Sequence, residues 1–334
     1  MGPRRRTGPS ALGVLLALAS AAVLPALVPV PGGAAVPRTV AGVLDLPGSL
    51  AVAHDGGLLI ANRGTHQIIE RLPGGALRIV AGDGRRGASG DGGPATAAEL
   101  DAPTGLAVGA DGTLLIADSG DGRVREVSPT GTITTVARVP DPVAVAIGPD
   151  GTRSVVDRAG IQALSSRGRV TTLIASTTSP AGDLTIGGAP TAFVPDALAV
   201  DTSGDLVVAN ESPKLLLRVV PGQPPVPVGE NTSVAESGLA AGRGGTVAVA
   251  DDGAFALDVA TATGLDRVAS FGRASIPGLP GVFRPSGVAV SRSGELFADT
   301  DGANGGTARP ALVSVDPDGR VHLLAVGATT EVPR

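Results

Sequence analysis

Residues 103–137 read PTGLAVGADGTLLIADSGDGRVREVSPTGTITTVA. Leu106 opens a short apolar run, LAVGA, closed by Asp111-Gly112, a pair that supplies the positive φ of a tight hairpin. A second run, TLLIAD, ends at Asp118, whose short side chain can bond nearby backbone and cap the next turn. A third, RVREVSP, breaks at Pro129-Thr130-Gly131, and TITTVA completes the unit. The spacing predicts four antiparallel strands in about forty residues, with no helix between units. One such sheet cannot bury its faces alone, so copies must pack face to face around an axis. Small residues such as Ala107 and Gly109 suit the crowded place nearest that axis.

Five further copies follow the same register. The positions equivalent to Leu106 are Leu50, Val145, Leu198, Leu239 and Val288. A glycine stands six residues after every anchor: Gly56, Gly112, Gly151, Gly204, Gly245 and Gly294. A proline stands three before five of them, at Pro47, Pro103, Pro142, Pro195 and Pro285, with Glu236 the exception. A small apolar residue followed by Asp or Asn then recurs, ending in Asn62, Asp118, Asp157, Asn210, Asp251 and Asp299. The pattern predicts an all-β, six-bladed β-propeller of four-stranded antiparallel blades over residues 36–334. Arg38 to Gly42 and Arg320 to Val326 compete for the outer edge of the last blade.

Composition agrees with a repeat-built core of unusual make-up. The 334 residues include 50 Gly and 28 Pro without a collagen period, so these read as turn punctuation. There are five Phe and no Tyr or Trp, so Val, Leu, Ile and Ala must fill the interior. No Cys is present, which excludes disulfides, thiolate metal sites, a cysteine nucleophile and a lipid-anchored cysteine.

Arg4, Arg5 and Arg6 precede an apolar stretch from Ala11 to Val28, and small residues follow at 32–35. Residues 1–35 fit a secretory signal peptide, with an uncleaved membrane anchor as the alternative. The expected location is secreted or extracytoplasmic, and no later segment is apolar enough to span a membrane. Loss of the three leader arginines takes the net charge from −5 to −8. That balance, with one lysine and almost no aromatic residue to stack bases, argues against nucleic acid as a partner.

The phrase at 103–137 resembles an NHL repeat, the unit of a β-propeller family. GDGRRGASGDGGPATAAELDAP, just before it, is similar to the connector between repeats in bacterial secreted members. The resemblance covers roughly residues 37–330 and departs from the family at Leu115, where an aromatic residue is usual. Since NHL propellers commonly act as interaction platforms, the resemblance implies a non-catalytic binding scaffold for a protein, peptide or cell-envelope polymer. Propeller lactonases and lyases resemble the architecture too, with a metal on the axis held by His, Glu or Asp. They imply the alternative, a metal-dependent hydrolase or lyase.

The strand order sends the second-to-third turns and the blade-to-blade connections to one face. The long segments 82–102, 176–194, 221–235 and 272–284 all belong to that face, which is the expected ligand surface. Its candidate residues are Arg63, His66, Arg85, Arg86, Asp91, Asp121, Arg123, Arg158, Glu211 and Lys214. The equivalent acidic residues Asp118, Asp157, Asp251 and Asp299 are the candidates for a Ca²⁺ site, with turn capping as the other reading of the same ring. No cofactor is expected beyond that ion. The Gly-rich loops at 82–84 and 90–93 lack the Gly-Lys-Ser/Thr and helix of a phosphate loop. No G-x-S-x-G elbow is present, and His66 is the one histidine expected on the ligand face.

Overall fold

The computed structural model describes residues 44–45, 47–177, 185–186, 189–190, 192–211, 214–220, 222–228, 238–242, 246–251, 253–260, 265–271, 282–303 and 310–326. The leader and Arg38 to Gly42 lie outside the described residues. Among those described, no helix is long and apolar enough to cross a membrane.

The chain is an all-β, six-bladed propeller, each blade a four-stranded antiparallel sheet in sequential order. Blade two comprises Pro103–Val108, Leu114–Asp118, Arg123–Val127 and Ile133–Arg138. The inner strands of the six blades are Pro47–Val52, Pro103–Val108, Ala144–Ile147, Pro195–Val200, Gly238–Ala241 and Val282–Val290. Val321–Val326 is the outer strand of the last blade, pairing antiparallel with Ala311–Val315.

Second strands such as Leu114–Asp118 are buried along their whole length. Alternate side chains serve opposite neighbours: Leu114 and Ile116 pack toward blade one, Leu115 and Ala117 toward blade three. This two-sided burial explains why these strands carry no polar alternation. Six apolar clusters result, one between each pair of adjacent blades, including the pair that closes the ring. There Leu50, Leu58 and Ile60 of blade one meet Ala289 and Leu312 of blade six. Closure is therefore face-to-face packing of the first blade on the last. At the Leu115 position an aliphatic side chain fills the slot and is fully buried.

The axis is narrow and lined by aliphatic residues. Leu50, Leu106, Val145, Leu198, Leu239 and Ala289, with their neighbours, line a channel of about 180 Å³. At the long-connector end the blades nearly touch. A Cβ on Gly287 would collide with the Gly48 carbonyl oxygen, and one on Gly105 would press on the backbone of Ala144. Glycine at 287 is thus required by close approach of neighbouring inner strands, and at 105 it relieves a tight one.

Candidate functional site

The Asx ring ties connectors to turns. Oδ1 of Asn62, Asp118 and Asn210 accepts the backbone N–H of Asp45 (2.8 Å), Asp101 (2.7 Å) and Val194 (2.7 Å), the residues entering each blade. In blades one and two a turn glycine answers, Gly64 N–H donating to the Asp45 carbonyl and Gly120 N–H to that of Asp101. Asp157 and Asp251 instead accept from the local N–H groups of Ala159 and Ala254, and Asp299 Oδ2 accepts from Ser286 Oγ. Each carboxylate is engaged within its own blade or its entry segment, and the described residues lining the axis are aliphatic. Among the described residues no group of three or more His, Asp or Glu is placed to hold a metal ion. A divalent cation on the axis does not fit these residues.

One region gathers charge. The connector from blade one to blade two folds back over blade two. Gly82 and Asp83 N–H donate to the Ala95 and Ala98 carbonyls, and Gly92 N–H to Ile133. Arg125, fully buried, clamps it from below. Its Nη2 donates to Asp91 Oδ1 at 2.8 Å and to the Ser89 carbonyl at 3.3 Å, and its Nη1 to the Glu99 carbonyl at 3.2 Å. The same Nη1 lies 3.6 Å from Asp118 Oδ2, an oxygen without a hydrogen-bond partner. Burial pushes the Asp118 carboxyl up to about 7, against the lowering effect of the Asp101 N–H and Arg125. Nearby Asp121 and Asp101 push it up further.

His66 lies on the same side, in the blade-one turn. Its Nδ1 accepts the Ala102 N–H at 3.0 Å and lies 3.7 Å from Asp101 Oδ1. Asp101 is itself held by Arg86, Nε to Oδ2 at 2.8 Å. His66 has φ +57°, at the turn position that Gly122 occupies in blade two with φ +61°. A histidine held in the left-handed region is a local strain that the surrounding bonds must sustain. With Nδ1 accepting, the hydrogen-bond network places the proton of the neutral ring on Nε2.

The expected surface residues therefore divide. His66, Arg85, Arg86, Asp91, Asp118, Asp121 and Arg123 gather around the first connector. Arg85 pairs with Asp83 at 2.6 Å, and Arg123 Nη1 donates to the Ala88 carbonyl at 2.9 Å. Arg63 stands exposed on the blade-one turn, against Gly48. Arg158 pairs with Asp141 at 3.0 Å, while Glu211 and Lys214 are exposed on blade four, away from the cluster. The other long connectors fall partly outside the described residues. Sequence reasoning missed Asp101 and Arg125. Arg125 carried a signal, because it occupies the third-strand register position where blade one has Ile69.

No protein-family model matches the chain, and no curated protein matches it. Solved structures do. A streptogramin B lyase aligns over 89% of this chain and 86% of its own, with 14% identity and a TM-score of 0.55. A gluconolactonase from Xanthomonas campestris covers 89% of each chain at 17% identity, TM-score 0.53. Regucalcin from Agrobacterium tumefaciens, a calcium-binding protein, covers 77% of this chain and 82% of its own at 16% identity, TM-score 0.52. The chain shares their fold.

These neighbours correct the expectation of a non-catalytic scaffold, since two of the three are named as enzymes and the third as a calcium-binding protein. The geometry agrees in one respect: the charged groups of the first connector are turned onto each other and onto the blade, not out toward a partner.

Proposed function

We propose that this protein is a propeller enzyme, a hydrolase or lyase acting on a lactone-type substrate, with its proton chemistry at the cluster between blades one and two. The observation that carries the reading is Asp118, a sealed carboxyl held at about 7 beside Arg125. Hydrolysis and elimination both need a group that takes up and returns a proton near neutral pH. Asp118 has that property. His66, its Nδ1 held by the Ala102 N–H and 3.7 Å from Asp101 Oδ1, presents Nε2–H as a donor to a carbonyl or leaving oxygen. Arg86 orients Asp101. Asp118 lies directly beneath the connector that the Arg125–Asp91 bond holds.

The names of the fold neighbours, a streptogramin B lyase and a gluconolactonase, support these two substrate classes as the first to test. The repeat phrase at 103–137 supports an NHL-type origin for the blades, and the leader supports an extracytoplasmic site of action.

The test is turnover of gluconolactone and of a streptogramin B by the purified protein, followed across pH. The expected result is opening of one of them with a rate that rises through about pH 7, and a loss of about a hundredfold in Asp118→Asn and in His66→Gln. No turnover of either class, or an Asp118→Asn enzyme with the wild-type pH profile, overturns the reading.

A further inference from the structure

We infer that the cleft between blades five and six, on the face opposite the long connectors, binds a small apolar carboxylate. The cleft encloses about 360 Å³, within the range of small-molecule sites. Its walls include Val259 and Val268 from the outer half of blade five and Val290 and Leu296 from the inner hairpin of blade six. Arg292, at the tip of that hairpin, lines the same cleft.

Arg292 is exposed, and no carboxylate among the described residues forms an ion pair with it. It is nevertheless held in place. Its Nη2 donates to Nδ1 of His54 at 3.2 Å, and His54 Nε2 lies 2.9 Å from the Gly109 carbonyl oxygen. A carbonyl only accepts, so Nε2 carries the proton and Nδ1 is left to receive the arginine. This relay runs from blade six through blade one to blade two. It braces a guanidinium that is otherwise free in water, and most of its donors remain available. Asp316, on the other wall, is hydrogen-bonded to His322 Nε2 at 2.8 Å, and Arg292 is the one cationic residue lining the cleft among the described residues.

A braced, unpaired cation beside an aliphatic floor fits an anion with a short apolar tail. The guanidinium takes a carboxylate through paired N–H donors, and the valines take the chain. The volume suits a branched acid of the size of 4-methylpentanoate. The inference does not rest on the proposed activity, since the cleft lies on the opposite face from Asp118 and His66.

The experiment is calorimetric titration of the purified protein with 4-methylpentanoate and, separately, with its methyl ester. The acid is expected to bind saturably, and the ester at least about tenfold more weakly, because it cannot accept the charge-assisted pair. Arg292→Gln, an exposed change that leaves the blades intact, should lose about the same factor. His54→Phe should lose part of it, and Val268→Asp should abolish binding. Equal affinity for acid and ester, unchanged binding in Arg292→Gln, or no saturable heat at millimolar acid overturns the inference.

Discussion

Arg125 and Asp118 face each other at 3.6 Å, guanidinium to carboxyl, with both side chains sealed from solvent. The separation is too long for a hydrogen bond, and Arg125 directs its donors to the connector instead. The carboxyl is left with the burial penalty and only part of the compensation. That imbalance raises its pKa and marks it as the candidate proton carrier.

The first prediction concerns pH. Asp118 titrates at about 7 when folded and at an ordinary 3.8 when unfolded. Between those values the folded chain keeps a proton that the unfolded chain releases, so its contribution is full below 3.8 and declines as pH rises through 7. Asp118→Asn keeps the Oδ1 cap on the Asp101 N–H and removes the titration. Denaturant melts across pH 4 to 7 should show a shallower fall in stability for Asp118→Asn than for wild type, by up to about 1.4 kcal/mol per pH unit. Parallel curves would refute the assignment.

A second prediction concerns the clamp. Arg125→Met removes the buried partner of Asp118 and three bonds to the connector. Loss of one side of a buried charge pair costs about 3–5 kcal/mol. The melting temperature should fall, and residues 84–96 should become the first site of limited proteolysis. A connector as resistant as in wild type would mean that Arg125 does not hold it.

The third prediction separates strain from function at His66. Gly122 fills the equivalent turn position at no steric penalty, whereas His66 holds φ +57°. His66→Gly relieves that strain but forfeits the bond from Ala102, so stability should stay within about 1 kcal/mol of wild type. Activity on the lactone substrate should be lost. Retained activity, measured by the same turnover assay, would remove His66 from the mechanism.

A fourth concerns closure. Gly287→Ala places a methyl group against the Gly48 carbonyl and forces blades one and six apart. The expected destabilisation is about 1–3 kcal/mol by chemical denaturation. The same change at Gly294, where a Cβ meets nothing but φ is +88°, should cost only the backbone strain, about 1 kcal/mol.

Much of the fold was legible because repeats report themselves. The register of anchors, glycines and Asx residues marked each inner hairpin and each second strand, and the structure places strands there in all six blades. The site was legible only in part. His66, Arg86, Asp91 and Asp118 lay on the expected face, but nothing in their spacing joined them to Asp101 or Arg125. The aim of a side chain depends on how a connector folds over its blade, and that fold is set by contacts distant in sequence.

The sequence by itself determined the number of blades, their strand order and an aliphatic interior, since each follows from local turn chemistry and from which residues alternate or run continuously. Only the tertiary structure decided how the ring closes, what lines the axis and which charges are sealed. Leu50 of blade one meets Ala289 of blade six because the accumulated rotation of six sheets brings them together, a sum over the whole ring that no single repeat contains. Asp118 has equivalents in five other blades, yet among the described residues it alone lies under a connector clamped by a buried arginine. Its raised pKa comes from desolvation, a property of everything packed around it.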